Sequence, residues 1–139
     1  MKLLAALAFV AMPAYAVLTT GDLLSVASCN SVADVDYYKR EFAAAFGPAV
    51  RNEQGAYWYK ASGEAYGTQI KEVFVSSDPR NRFAGIVLEA KPDAVVANVP
   101  NSLMYPTNVF PTNNYWVGSD GRTIMWHAGN NTKMFCVER

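Results

Sequence analysis

The hydrophobic period of this chain changes once, at Gly47-Pro48, and that change restricts its fold more than any other feature. Before the break, Val35, Tyr38, Phe42 and Phe46 recur at steps of three and four, which places them on one helix face. Lys39, Arg40 and Glu41 fall between them as a solvated side. Ser31-Val32-Ala33-Asp34 has the spacing of a capping box, with Asp in place of Glu. Gly47 suits a left-handed residue after the helix, and Pro48 cannot continue it. A shorter helical turn is expected over Thr20 to Ala27.

After the break the period is two. Strands are predicted over 56–60, 69–75, 83–90, 115–117, 123–128 and 133–137, with a turn at Asn52 to Gly55. Ile70, Glu72 and Phe74 should share one face of their strand. Ser119-Asp120-Gly121 and Gly129-Asn130-Asn131 separate the last three strands, as hairpin turns do. Pro92 to Val99 reads as a short helix with Pro in its first turn. The predicted class is α+β: an antiparallel sheet of about five to six strands packed against one N-terminal helix, with a second short helix.

The first sixteen residues have the form of an export signal. Met1-Lys2 is a short basic start, Leu3 to Met12 is wholly apolar, and Ala14-Tyr15-Ala16 is a small-x-small cleavage pattern. The apolar run is shorter than the roughly 20 residues a membrane-spanning helix needs. The expected mature chain is one α+β domain over 17–139, cleaved after Ala16 and periplasmic or secreted, without stable membrane insertion. Val26-Ala27-Ser28-Cys29 looks superficially like a lipidation site. Polar residues at Thr19, Thr20 and Asp22 separate it from the apolar run, which argues against an anchor.

In an oxidising compartment, the two cysteines, Cys29 and Cys136, are expected to pair. Closing a loop of that length stabilises by about 4–5 kcal/mol in the chain-entropy model. Gly47-Pro48, a polar turn and then Tyr57-Trp58-Tyr59 are locally similar to the helix-then-sheet layout of small exported outer-membrane-assembly and β-lactamase-inhibitor domains. The likeness covers a minor part of the chain and implies nothing about particular residues.

Catalytic parts are scarce. The chain has 1 histidine, His127, too few for the usual zinc sites. On its strand it is expected to lie opposite Ile124, Trp126 and Ala128 and to be partly exposed. No nucleophile turn, calcium loop or phosphate-cradling glycine loop is present, so neither metal nor cofactor is expected. Carboxylates at Glu41, Glu53, Glu64, Glu72, Glu89 and Asp93 leave a small glycan or cell-wall hydrolase as the alternative. With 12 basic and 12 acidic residues and no basic stripe, nucleic acid is not expected as a partner.

Aromatic side chains, by contrast, are plentiful: 3 Trp, 8 Tyr and 7 Phe. They provide large contact areas at low entropic cost. Several crowd the Pro- and Asn-rich stretch from 100 to 115, which is long for a loop in a small domain. Tyr105, Phe110, Asn113 and Tyr115 are therefore candidate binding residues, together with Arg80 and Arg82, a candidate anion clamp in the polar loop at 76–82. The function expected is non-catalytic binding, as an inhibitor or immunity-type protein that blocks an exported enzyme or toxin. A carbohydrate-binding or envelope-assembly module, stacking sugars on Trp58 or Trp116, is a further alternative. Asn130-Asn131-Thr132 also matches a glycosylation sequon.

Overall fold

The computed structural model describes residues 35–99, 104–106, 115–118 and 123–137. The expected export signal, the helical turn expected over 20–27, the expected capping box and Cys29 lie outside them. Helix α1, Val35–Phe46, buries Val35, Tyr38 and Phe42, as the three-and-four spacing predicts. It ends where Gly47 takes a φ of 85° and its N–H donates to the Ala43 carbonyl at 3.0 Å. This left-handed cap costs glycine little.

Among the described residues nine strands follow, interrupted by one short helix: β1 Arg51–Glu53, β2 Ala56–Lys60, β3 Glu64–Ala65, β4 Thr68–Ser76, β5 Phe83–Leu88, α2 Pro92–Val96, β6 Met104–Pro106, β7 Tyr115–Gly118, β8 Thr123–Ala128 and β9 Asn131–Val137. All pairings are antiparallel, in the order β1-β2-β4-β5-β9-β8-β7-β6, with β3 attached to β4. The architecture is the predicted α+β class. All six predicted strands are present. The three extra ones, β1, β3 and β6, are two or three residues long, too short to display a period.

Turn chemistry accounts for two of the additions. Gln54-Gly55 joins β1 to β2 with φ of 56° and 73°, and Tyr66-Gly67 joins β3 to β4 with φ of 51° and 71°. Two successive positive values make a type I′ hairpin. Between β8 and β9, Gly129 alone has positive φ, at 62°, the arrangement of a type II′ turn. Asn131, expected in that turn, is the first residue of β9.

Helix α1 packs over β2, β4 and β5, and α2 over β8 and β9. Beneath them lies the main core, which includes Phe42, Tyr59, Val73, Ile86, Leu88, Val95, Met125 and Met134. Thr132, fully buried, donates its hydroxyl to the Ala90 carbonyl at 2.7 Å and ties the start of β9 to the β5–α2 link. The opposite sheet face carries a second cluster, in which Phe83 and Phe135 flank Ala56, Trp58, Phe74 and Val87. Both faces of β5 are thus covered, which explains its nearly continuous apolar run.

One expectation about faces is corrected. The pairing of β4 with β5 shifts between Ile70 and Glu72, leaving Lys71 as the extra residue of a bulge. Ile70 therefore joins the helix-side core with Val73 and Val75, while Phe74 belongs to the opposite cluster. A bulge breaks the period of two, so alternation alone misassigns the residues beyond it.

Tyr59, 3% exposed beneath α1, gives the core a pH limit. Burial pushes its phenol above the ordinary value, and Tyr57 adds to the shift. A group raised on folding stabilises below its unfolded pKa, so this contribution is complete below about pH 10 and is lost as pH rises through the folded value. Tyr59→Phe should flatten the alkaline loss of stability above about pH 10. Denaturant melts at several pH values read this directly, and an unchanged alkaline slope would contradict it.

Candidate functional site

The sheet face away from the helices owes its character to register. Cross-strand pairing aligns Arg51, Trp58, Phe74, Gly85 and Phe135 in one row across four neighbouring pairs. Directly opposed residues project to the same face. Trp58, Phe74 and Phe135 therefore gather from strands far apart in sequence. The Trp58 and Phe74 rings are 4.8 Å apart, and Phe74, Phe83 and Phe135 form a triangle with sides near 6 Å. These are favourable ring separations for tilted and edge-on contacts.

Gly85 makes that triangle possible. A Cβ there would stand 2.4 Å from the Phe135 Cβ, 2.5 Å from the Met134 carbonyl oxygen and 2.7 Å from the Phe74 ring. The two phenyl groups close over the gap left by the missing side chain. The result is a cleft of about 170 Å³ walled by Trp58, Phe74, Phe83 and Phe135, with Gln54 and Lys133 as its polar lining.

Charged groups frame Trp58. Its indole N–H donates to the Glu53 carbonyl at 3.0 Å, which fixes the ring. The Arg51 guanidinium lies 4.5 Å from the ring centroid and grips Glu72 with both terminal nitrogens, the NH2 contact being 2.9 Å. Its Nε also donates to Glu53 at 2.7 Å. The hydrogen bonds that Arg51 donates to Glu72, with the charges of Glu72 and Glu53, raise the guanidinium above its ordinary value. The Lys133 ammonium stands 5.5 Å from the same ring. Beyond it on β8, Trp126 is 41% exposed whereas its neighbour Met125 is fully buried.

The residues singled out in the sequence lie elsewhere. Arg80 is exposed and bound to Asp78, whose carboxylate accepts from the Arg80 side chain and backbone N–H and is held below its ordinary pKa by those bonds. Arg82 pairs with Asp36 at 3.5 Å and links the β4–β5 loop to the first turn of α1. The two arginines thus hold separate carboxylates, and the structure does not bring them together as one clamp. Tyr105 and Tyr115 occupy β6 and β7, paired with Val117 and Trp126 respectively. Their side chains, together with Phe110, Asn113 and Trp116 side-chain positions, lie outside the described residues, as does the side chain of His127.

Glu53 and Glu72 stand beside Trp58 through Arg51, but no acidic residue lines the cleft itself. Glu53, Glu64, Glu89 and Asp93 are exposed, Glu41 is half-buried, and Glu72 is held by Arg51. Among the described residues no group of three histidine, cysteine or acidic side chains is placed to hold a metal. Cys136 sits half-buried on β9, between Ala84 and Thr123, and is not a free thiol. Of the sequon, Asn130 is exposed in its turn while Thr132 is buried.

Sequence reasoning missed the cleft because its four aromatic residues come from four separate stretches. Each looked like one more apolar position in an alternating strand. Trp58, projecting opposite Tyr57 and Tyr59, was the only available hint. No known protein family, curated protein or solved structure matches the chain.

Proposed function

We propose that this is an exported, non-catalytic binding protein, an inhibitor or immunity-type protein that blocks an exported enzyme or toxin. The observation that carries this reading is the aromatic cleft on the sheet face opposite α1 and α2, beside the exposed Trp126. Clustered aromatic rings held on rigid strands contribute contact area with little ordering cost. The export signal at 1–16 supports a periplasmic or secreted location. A Cys29–Cys136 cross-link would stiffen the scaffold there, and the fact that Cys136 is not free supports it.

A second reading, a carbohydrate-binding or envelope-assembly module, is favoured by the exposure of Trp126, since sugar rings stack on such faces. The hydrolase reading draws no comparable support, because none of the described carboxylates lines the cleft. Affinity capture from the cell's own envelope extract separates these. The wild type should retain a protein partner, and Trp126→Ala should retain about tenfold less at an unchanged melting temperature. Equal retention by both would remove the sheet face as the contact surface. Turnover of an envelope polymer by the purified protein would remove the non-catalytic reading, and a fluorescence change with soluble glycan alone would favour the second.

A further inference from the structure

We propose that the cleft between Trp58, Phe74, Phe83 and Phe135 receives an aromatic side chain of the protein partner that carries a carboxylate beside it, with Lys133 as the counter-charge. The inference rests on the binding-protein reading and specifies what the partner presents.

Size is the first argument. The cleft measures about 170 Å³, and an apolar cavity of roughly 150 Å³ in another protein holds one benzene ring. Its lining is the second. Three phenyl edges and an indole favour a ring over a flexible chain, because offset and edge-on aromatic contacts add to simple burial.

Charge is the third argument, and it selects among rings. Arg51 is the nearest cation to Trp58, but Glu72 and Glu53 already neutralise it. Lys133 lines the cleft, and among the described residues no carboxylate lies within ion-pair distance of it. Its neighbours across the strands are Val87 and Trp126, both apolar. Contact with the Trp58 ring holds the ammonium in place without cancelling its charge. A cation kept unpaired at an aromatic pocket selects an anion adjoining the inserted ring and disfavours a neutral or cationic one.

The test uses N-acetyl-phenylalanine as the probe, its amide as the neutral control and N-acetyl-alanine as the ringless control. Each is titrated into the mature protein while the Trp58 indole N–H resonance is followed by NMR. A fragment of this size should bind the wild type at roughly millimolar concentration. The amide should bind about threefold to fivefold more weakly, the gain expected of one partly exposed ion pair. Lys133→Gln should bring the acid down to the level of the amide, and Lys133→Arg should restore most of the difference. N-acetyl-alanine should leave the resonance unmoved.

Equal binding of acid and amide, indifference to Lys133→Gln, or no movement of the Trp58 resonance in folded protein would each overturn the proposal. Partner capture that depends on Trp126 would survive any of those results, so this pocket assignment falls separately from the binding-protein reading.

Discussion

Gly85→Ala is expected to destabilise the protein by about 3 kcal/mol, at the upper end of overpacking effects, and to lower the melting temperature by about 10 °C. The added methyl would meet the Met134 carbonyl at 2.5 Å and the Phe135 Cβ at 2.4 Å. Backbone and Cβ atoms cannot rotate away as the end of a long side chain can. Relief requires β5 and β9 to separate or the phenyl groups of Phe74 and Phe135 to swing outward. Either movement disturbs the wall against Trp58, so indole fluorescence should shift as well. Gly55 and Gly129 serve as controls, since neither has an atom within 4 Å of a built Cβ. Alanine there should cost only about 1–2 kcal/mol, the penalty of a left-handed backbone. A melting temperature for Gly85→Ala equal to the wild type would mean that the two strands do not pair in this register.

Phe42→Ala should be still more damaging, at about 3–5 kcal/mol. Phe42 is fully buried between α1 and the sheet, with ring centroids 5.8 Å from Tyr38 and 5.7 Å from Tyr59. Its ring meets Tyr59 of β2 edge-on, so truncation removes a contact between α1 and the sheet. The total stability of an ordinary domain is about 5–15 kcal/mol, so the loss is a large share of it. The expected record is a denaturation midpoint moved far toward zero denaturant, with aromatic circular dichroism reduced. Tyr37→Ala, on the exposed side of the same helix at 37% exposure, should change little. Similar effects for the two would contradict the placement of α1.

These two sites show what the chain order reveals and what it conceals. Helix α1 was legible because Val35, Tyr38 and Phe42 repeat a local period and Gly47 stops it. The six longer strands were legible for the same reason. The turn ending at Gly55 was legible, though not the short strand β1 before it, whereas the type I′ hairpin at Tyr66-Gly67 was not, because Tyr is uncommon where asparagine or aspartate usually stands. The bulge at Lys71 leaves no local mark, yet it moves Ile70 to the other face. The cleft was hidden for a deeper reason: Trp58, Phe74 and Phe135 become neighbours only when β2, β4, β5 and β9 pair in one register. No local periodicity contains that pairing. Gly85 seemed an ordinary glycine, and only the atoms around its missing side chain show its purpose.

The loop residues Arg80 and Arg82 show what local spacing leaves out. Two arginines one residue apart suggest a shared anion, but each finds a nearby carboxylate, Asp78 and Asp36. Local composition proposed a site that local ion pairing had already occupied.

Recognition through the sheet face opposite α1 and α2 can be read most directly by photo-crosslinking in the native envelope, with a light-activated phenylalanine analogue placed at Trp126 and, separately, at Ala44 on the exposed side of α1. The account predicts a discrete cross-linked protein from position 126 and none from position 44. Cross-links from the helix position alone would contradict it.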